Sequence, residues 1–290
     1  MPSVQSNGNT IHYDEFGLAR DPVILLTIGL GLQAISWPRA FCEPLAAQGF
    51  RVIRYDNRDT GHSTKFGDAG VPDVQALLAG KDVPVPYKLP DMAADAVGLL
   101  DALGIQKAHV AGMSMGGMIS QEIAARYPDR VLSLVSIMST TGDPSVPPGK
   151  PEAMQAIFTP PPSPARADVV AAGIVMRKVI GSPGYPMSDA ELADIVGSEY
   201  DRCYYPEGMM RQAGAIFASG SRVDLLAKVT APTLVIHGAA DPLVPVEGGQ
   251  STAKSVPGAR LEIVEGFGHD LPNAFLPKLA DMIGGFCKAA

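Results

Sequence analysis

Ser114 lies in the stretch HVAGMSMGGM (His109–Met118), with Gly112 two residues before it and Gly116 two residues after. A serine hydroxyl is a weak nucleophile at neutral pH. It needs a base to take its proton and a third group to orient that base. The pattern Gly-x-Ser-x-Gly suits this chemistry when it joins a buried strand to a helix. The glycines admit a tight turn, the hydroxyl is thrown clear, and the helix N-terminus favours negative charge beside it.

Five histidines could supply the base. His12 falls in a hairpin strand and His109 opens the strand before the serine; both read as structural or solvated. His237 ends an apolar strand and reads as packed. His62 could line a pocket. His269, in the loop VEGFGHDLP between a strand and a helix, is free to reach across the top of a sheet. The acid should come from a loop that follows a strand. HGAADPLVP supplies Asp241 there, with Asp224 the runner-up; Asp270 adjoins the base but should point elsewhere.

Acyl chemistry also needs donors for a developing oxyanion. The backbone N–H of Met115, next to the serine, is one candidate. The N–H of Leu30, in the glycine-rich exit TIGLGLQ, is the other. Nine of the twelve methionines fall between Met113 and Met210, which points to an adaptable apolar wall around the reacting group. Leu32, Met138, Met209 and Met210 are the candidate pocket residues.

These residues need a scaffold that brings distant loops to one edge. A hairpin is expected around Ser6-Asn7-Gly8-Asn9. Strands are expected over Pro22–Gly29, Arg51–Asp56, Ala108–Gly112, Val131–Met138, Ala231–Gly238 and Arg260–Gly266. Helices are expected over Trp37–Gln48, with Ser36 as N-cap, and over Pro90–Leu103, Met115–Tyr127 and Pro272–Lys288. Strands alternating with helices imply right-handed crossovers and a mostly parallel sheet. The rhythm breaks at Thr141–Asp168, which holds eight prolines, too many for sheet or a long helix. Weakly helical stretches follow. The reading is therefore a core of residues 1–140 and 227–290, interrupted by a cap of residues 141–226. A smaller Pro/Gly-rich insertion spans Phe66–Leu89. Asp56 and Arg58 are expected to brace the loop after the second core strand as a pair.

The chain of 290 residues is 46% hydrophobic and 18% charged, ample for a globular core. A net charge of −7 argues against a nucleic-acid partner. No transmembrane run or secretory signal is evident, so no membrane association is expected. Three widely spaced cysteines suggest neither a disulfide framework nor a metal site, and a reducing cytoplasm is the simplest compartment. Self-association is left open.

The motifs GLGLQAISW, YDNRDTGHS, GMSMGG, HGAADPLVP and GFGHDLP together resemble the α/β-hydrolase superfamily over nearly the full chain. Within it they are similar to aclacinomycin methylesterase and related bacterial carboxylesterases. The resemblance implies an α/β-hydrolase fold with a helical cap and a serine esterase that needs no cofactor or metal. It also implies Ser114 as nucleophile, Asp241 as acid and His269 as base, in the superfamily's chain order. Two departures stand out: Ile28 where many members carry histidine at the oxyanion loop, and Asp59 where many carry glycine. The expected activity is hydrolysis of small to medium apolar carboxylic esters through an acyl-enzyme. Lactone hydrolysis, carbon–carbon bond hydrolysis and perhydrolysis are rivals on the same triad. A non-catalytic binder of small apolar ligands is a rival of another class, opposed by the complete triad.

Overall fold

A computed structural model describes residues 1–290. Eight strands form one sheet: β1 (Ser3–Ser6), β2 (Asn9–Phe16), β3 (Val23–Thr27), β4 (Arg51–Tyr55), β5 (Ala108–Met113), β6 (Val131–Ile137), β7 (Thr233–Gly238) and β8 (Arg260–Val264). The order across the sheet is β1-β2-β4-β3-β5-β6-β7-β8. The β1–β2 and β2–β4 pairs are antiparallel and every other pair is parallel. The hairpin turns through Asn7 and Gly8, both at positive φ, as an Asn-Gly pair should.

Helices α1 (Arg39–Ala47) and α11 (Leu276–Ala289) cover one face of the sheet. Helices α3 (Leu89–Ala102) and α4 (Met115–Arg126) cover the other, beyond the short α2 (Val74–Leu78) of the small insertion. The run VILLT is apolar on both sides for this reason. Ile24 and Leu26 pack towards Phe41, Leu45 and Leu279, whereas Val23 and Leu25 pack towards Leu99, Ile119 and Ile123.

Between β6 and β7 the chain forms five helices: α5 (Pro151–Phe158), α6 (Arg166–Ile180), α7 (Asp189–Arg202), α8 (Pro206–Ser219) and α9 (Val223–Leu226). Three of these are regular, of 15, 14 and 14 residues, more ordered than the proline content suggested. The prolines open helices, as Pro151 and Pro206 do, where a missing N–H costs nothing. Arg222 ties the two ends of this segment together. Its N–H donates to Thr141 O (2.8 Å), and its guanidinium donates to Thr140 O (2.8 Å), Gly220 O (3.2 Å) and Gln121 Oε1 on α4 (3.1 Å). Helix α10 (Val246–Ser255) then joins β7 to β8. No helix is long and apolar enough to cross a membrane.

Two expected helix starts are wrong. Asn273–Phe275 form a separate 3₁₀ turn, so α11 begins at Leu276 rather than Pro272. Helix α1 starts at Arg39, after an extended Pro38, and Ser36 lies in a separate 3₁₀ turn. The Ser36 hydroxyl does not cap the helix; it donates to Glu199 Oε1 on α7 (2.7 Å).

Candidate active site

The turn between β5 and α4 holds Ser114 at φ 55°, ψ −123°, a backbone conformation in which non-glycine residues are strained. Close packing explains the flanking glycines. A Cβ on Gly112 would lie 2.1 Å from Gly116 O, and one on Gly116 would lie 2.1 Å from Thr27 O. Ser139, just after β6, donates its hydroxyl to Ser114 O (2.8 Å) and steadies the turn from outside.

His269 Nε2 lies 3.0 Å from Ser114 Oγ, and its Nδ1 lies 2.7 Å from Asp241 Oδ2. Asp241 is acceptor-only as a carboxylate, so Nδ1 carries the proton and Nε2 is left to accept from the serine. Asp241 is fixed from its other oxygen, where Oδ1 accepts from Leu243 N–H and Val244 N–H (both 2.9 Å). All three side chains sit in loops at the carboxyl ends of β5, β7 and β8. The histidine loop is also held by the chain that leaves α6. His269 N–H donates to Ile180 O (2.8 Å), and Gly268 N–H donates to Ser182 Oγ (2.8 Å). The Ser182 hydroxyl donates in turn to Asp270, whose carboxyl is pushed above the ordinary range by burial, while His269 Nδ1 takes Asp241 as its partner.

Leu30 occupies a turn closed by Leu32 N–H to Gly29 O (3.3 Å), with Gly31 at φ 68°. The turn abuts the serine: a Cβ on Gly29 would lie 3.4 Å from Ser114 Cβ. Neither Leu30 N–H nor Met115 N–H, the first of α4, donates to another group of the chain. Leu32 is partly buried beside the cluster of Trp37 and Phe41. Met209 lies over Gly31, where a Cβ would come within 2.8 Å of its Cγ, and Met210 follows it, partly buried, on α8. Met138 is fully buried in the core with Phe267 and Phe275, at φ 41°.

Of the other histidines, His237 approaches this cluster, its Nε2 3.7 Å from Asp241 Oδ2. His237 is fully buried, and its Nε2 meets Val244 O (2.8 Å). His62 is exposed beside His12, and Asp224 is exposed on α9. Asp56 and Arg58 do not pair with each other. Asp56 binds Arg202 of α7 (2.6 Å), whereas Arg58 forms a two-pronged pair with Asp95 on α3 (2.6 and 2.7 Å). The chain leaves the strand at Asp56 and turns at Arg58 and Asp59, which sends the two side chains to different partners. Asp59, which the sequence marked only as standing where glycine is common, pairs through both oxygens with Arg211 of α8 (2.9 Å each), a partnership that the sequence did not announce. No cluster of His, Cys, Asp and Glu side chains has the geometry to hold a metal ion.

The family model for the alpha/beta hydrolase fold matches residues 22–170, just over half of the chain. The chain belongs to the α/β-hydrolase superfamily. A model described as TAP-like protein matches residues 218–274. The rhodomycin D methylesterase DauP of Streptomyces sp. strain C5 is 30% identical over 305 residues, covering 97% of this chain and 96% of that protein. Its counterpart DnrP of Streptomyces peucetius is likewise 30% identical, covering 97% and 96%. Among solved structures, a meta-cleavage product hydrolase from Pseudomonas fluorescens IP01 superposes with a TM-score of 0.78 at 21% identity, over 100% of this chain and 98% of that one. Est816, described as an N-acyl homoserine lactone degrading enzyme, gives 0.72 at 26% identity, over 98% and 100%. The resemblance read from the motifs therefore holds at the level of family and fold, and the chain is a hydrolase of this superfamily.

Proposed function

We propose that the protein hydrolyses carboxylic esters through a covalent acyl-enzyme on Ser114. The observation that carries this reading is the single imidazole of His269 bridging Ser114 Oγ and Asp241 Oδ2 at hydrogen-bonding distance on both sides. Ser114 Oγ attacks the ester carbonyl carbon as His269 Nε2 takes its proton. The resulting oxyanion is met by the N–H groups of Leu30 and Met115, backed by the N-terminus of α4. The intermediate collapses, His269 protonates the departing alkoxide, and the alcohol leaves. Water then attacks the acyl-enzyme by the same route and releases the acid. Asp241 holds the imidazole tautomer and stabilises its positive charge.

The names of the methylesterase relatives favour an ester as substrate. The helices between β6 and β7 act as a cap over the site, and their methionines favour apolar groups, because an unpaired buried charge is costly. Small to medium apolar esters are the expected substrates. A lactone is an internal ester and enters by the same steps, a reading supported by the likeness to Est816.

A folded Ser114→Ala variant is expected to lose on the order of 10⁴-fold or more in kcat/KM and all labelling by a fluorophosphonate. p-Nitrophenyl esters, lactones and diketones assayed side by side rank the reaction classes. Retention of most turnover by Ser114→Ala would end the proposal.

A further inference from the structure

The Gln33 side chain ties the loop from Ile28 to Ala34 to α7, donating to Glu199 O (2.7 Å) and Cys203 O (2.9 Å) and accepting from Arg202 (2.6 Å). Four hydrogen bonds at backbone groups fix the turn itself. Asn57 Nδ2 donates to Ile28 O (3.1 Å), Leu32 N–H to Gly29 O (3.3 Å), Ala34 N–H to Asp56 Oδ1 (2.8 Å) and Gly31 N–H to Gln212 Oε1 (2.9 Å). The first three come from the loop itself and from the segment after β4. The fourth comes from α8, among the helices inserted between β6 and β7. Ile28 offers no polar side chain of its own here, so support has to arrive from elsewhere.

Gln212 is fully buried, and both ends of its amide are used. Its Nε2 donates to Arg58 O (2.7 Å), so its oxygen must face Gly31. Arg58 is itself anchored on Asp95, which makes the far end of the bridge rigid. Three residues earlier on α8, Met209 closes over Gly31, and the neighbouring Arg211 is locked to Asp59.

The backbone makes this contact consequential. A Gly29 O to Leu32 N–H bond with positive φ at Gly31 is the pattern of a type II turn. The central peptide of such a turn joins Leu30 to Gly31, and glycine tolerates either hand of φ, so this peptide is free to invert unless it is held. The N–H that it carries is the one that Gln212 accepts.

We propose that Gln212 is a positioning residue for the oxyanion turn: by holding the Leu30–Gly31 peptide it locks the turn in one form, and that form keeps the adjoining Gly29–Leu30 peptide, which carries Leu30 N–H, beside Ser114. The proposal rests on the reading of Ser114 as nucleophile and Leu30 N–H as donor. It makes the oxyanion site complete only while α8 is docked.

Gln212→Met keeps the length and bulk of the side chain and removes both hydrogen bonds. Losing one oxyanion donor outright costs about 10²–10³ in kcat. A misaligned donor should cost roughly 10–100-fold in kcat, with KM within about twofold. Inhibition by a trifluoromethyl ketone, which presents an oxyanion once Ser114 adds to it, should weaken in parallel. Binding of the corresponding alcohol, which presents none, should not. Gln212→Asn withdraws the amide by one methylene and should give the same signature, which keeps the test open if the methionine variant fails to fold. A folded variant that keeps kcat and ketone affinity within twofold of wild type overturns the proposal. So does an equal loss of alcohol binding, which would mark a general collapse of the site. Wild-type protein that resists fluorophosphonate labelling overturns the esterase reading and this inference together.

Discussion

Asp59 occupies a backbone position that ordinarily suits glycine, at φ 69°. Left-handed backbone costs an L-residue roughly 1–2 kcal/mol. The side chain offsets that cost. It is fully buried, accepts both prongs of Arg211, and also accepts from Tyr87 Oη (2.6 Å) and Phe66 N–H (2.8 Å). Asp59→Gly would relieve the backbone and strand a guanidinium that is 1% exposed. Breaking a buried pair costs about 3–5 kcal/mol, so the pairing outweighs the strain. The expected result is a net loss on the order of 2–3 kcal/mol by urea denaturation. A variant as stable as wild type would mean that Arg211 finds other acceptors. Little of this was legible in the sequence. Asp59 and Arg211 stand 152 positions apart, and Asp56 and Arg202 stand 146 apart, with no local pattern to announce either pair. Ser114, Asp241 and His269 were legible because each sits in a loop that follows an apolar strand run, where a polar side chain meets the carboxyl edge of the sheet.

The strands and core helices were readable for a related reason. A strand buried on both faces must be apolar throughout, and a helix against it ends where glycine or proline interrupts, as Gly104 does after α3. The helices between β6 and β7 lack such a signature. Helices α5, α6 and α7 pack on one another, α8 on α2 and α3, and α9 on α4 and α10, and their partly buried faces mix methionine, alanine and charged residues. Strand β5 carries a testable exception to its apolar pattern. His109 is 5% exposed, its Nδ1 meets Ser133 Oγ (2.8 Å), and burial pushes its pKa down from the ordinary 6.5 to about 4. The unfolded chain takes up this proton near pH 6.5 and the folded chain only near pH 4. Stability from this group is therefore full above about pH 6.5 and is lost as pH falls towards 4. The loss has a ceiling of about 3 kcal/mol. Urea midpoints at pH 7 and pH 4.5 should fall further apart for wild type than for His109→Gln. Equal separations would show that the strand accommodates the charged ring.

At the scale of the whole molecule, the inserted helices reach three of the loops that surround the site. Met209 and Gln212 reach the oxyanion turn, Arg202 and Arg211 reach the segment after β4, and Ile180 and Ser182 hold the histidine loop. Side chains from this segment should therefore set which ester fits. Met209→Ala or Met210→Ala is expected to raise kcat/KM for a longer p-nitrophenyl ester relative to a short one by several-fold, with Ser114 labelling intact. A ratio that stays constant in both variants, yet moves on substitution of Leu32, would assign the choice to the turn beside the serine. The Arg222 clasp has a consequence of a different kind. Thr141 and Arg222 are hydrogen-bonded neighbours, so some eighty residues leave the core and return to it at almost the same point. The sheet between β6 and β7 does not depend on how long that excursion is. The insertion is threaded through one covalent seam, so its length can change without re-threading a strand, while its side-chain contacts to the core loops are separate from that seam. Substrate range can then drift by such changes wherever Ile180, Ser182 and Gln212 keep their hold on the histidine loop and the oxyanion turn.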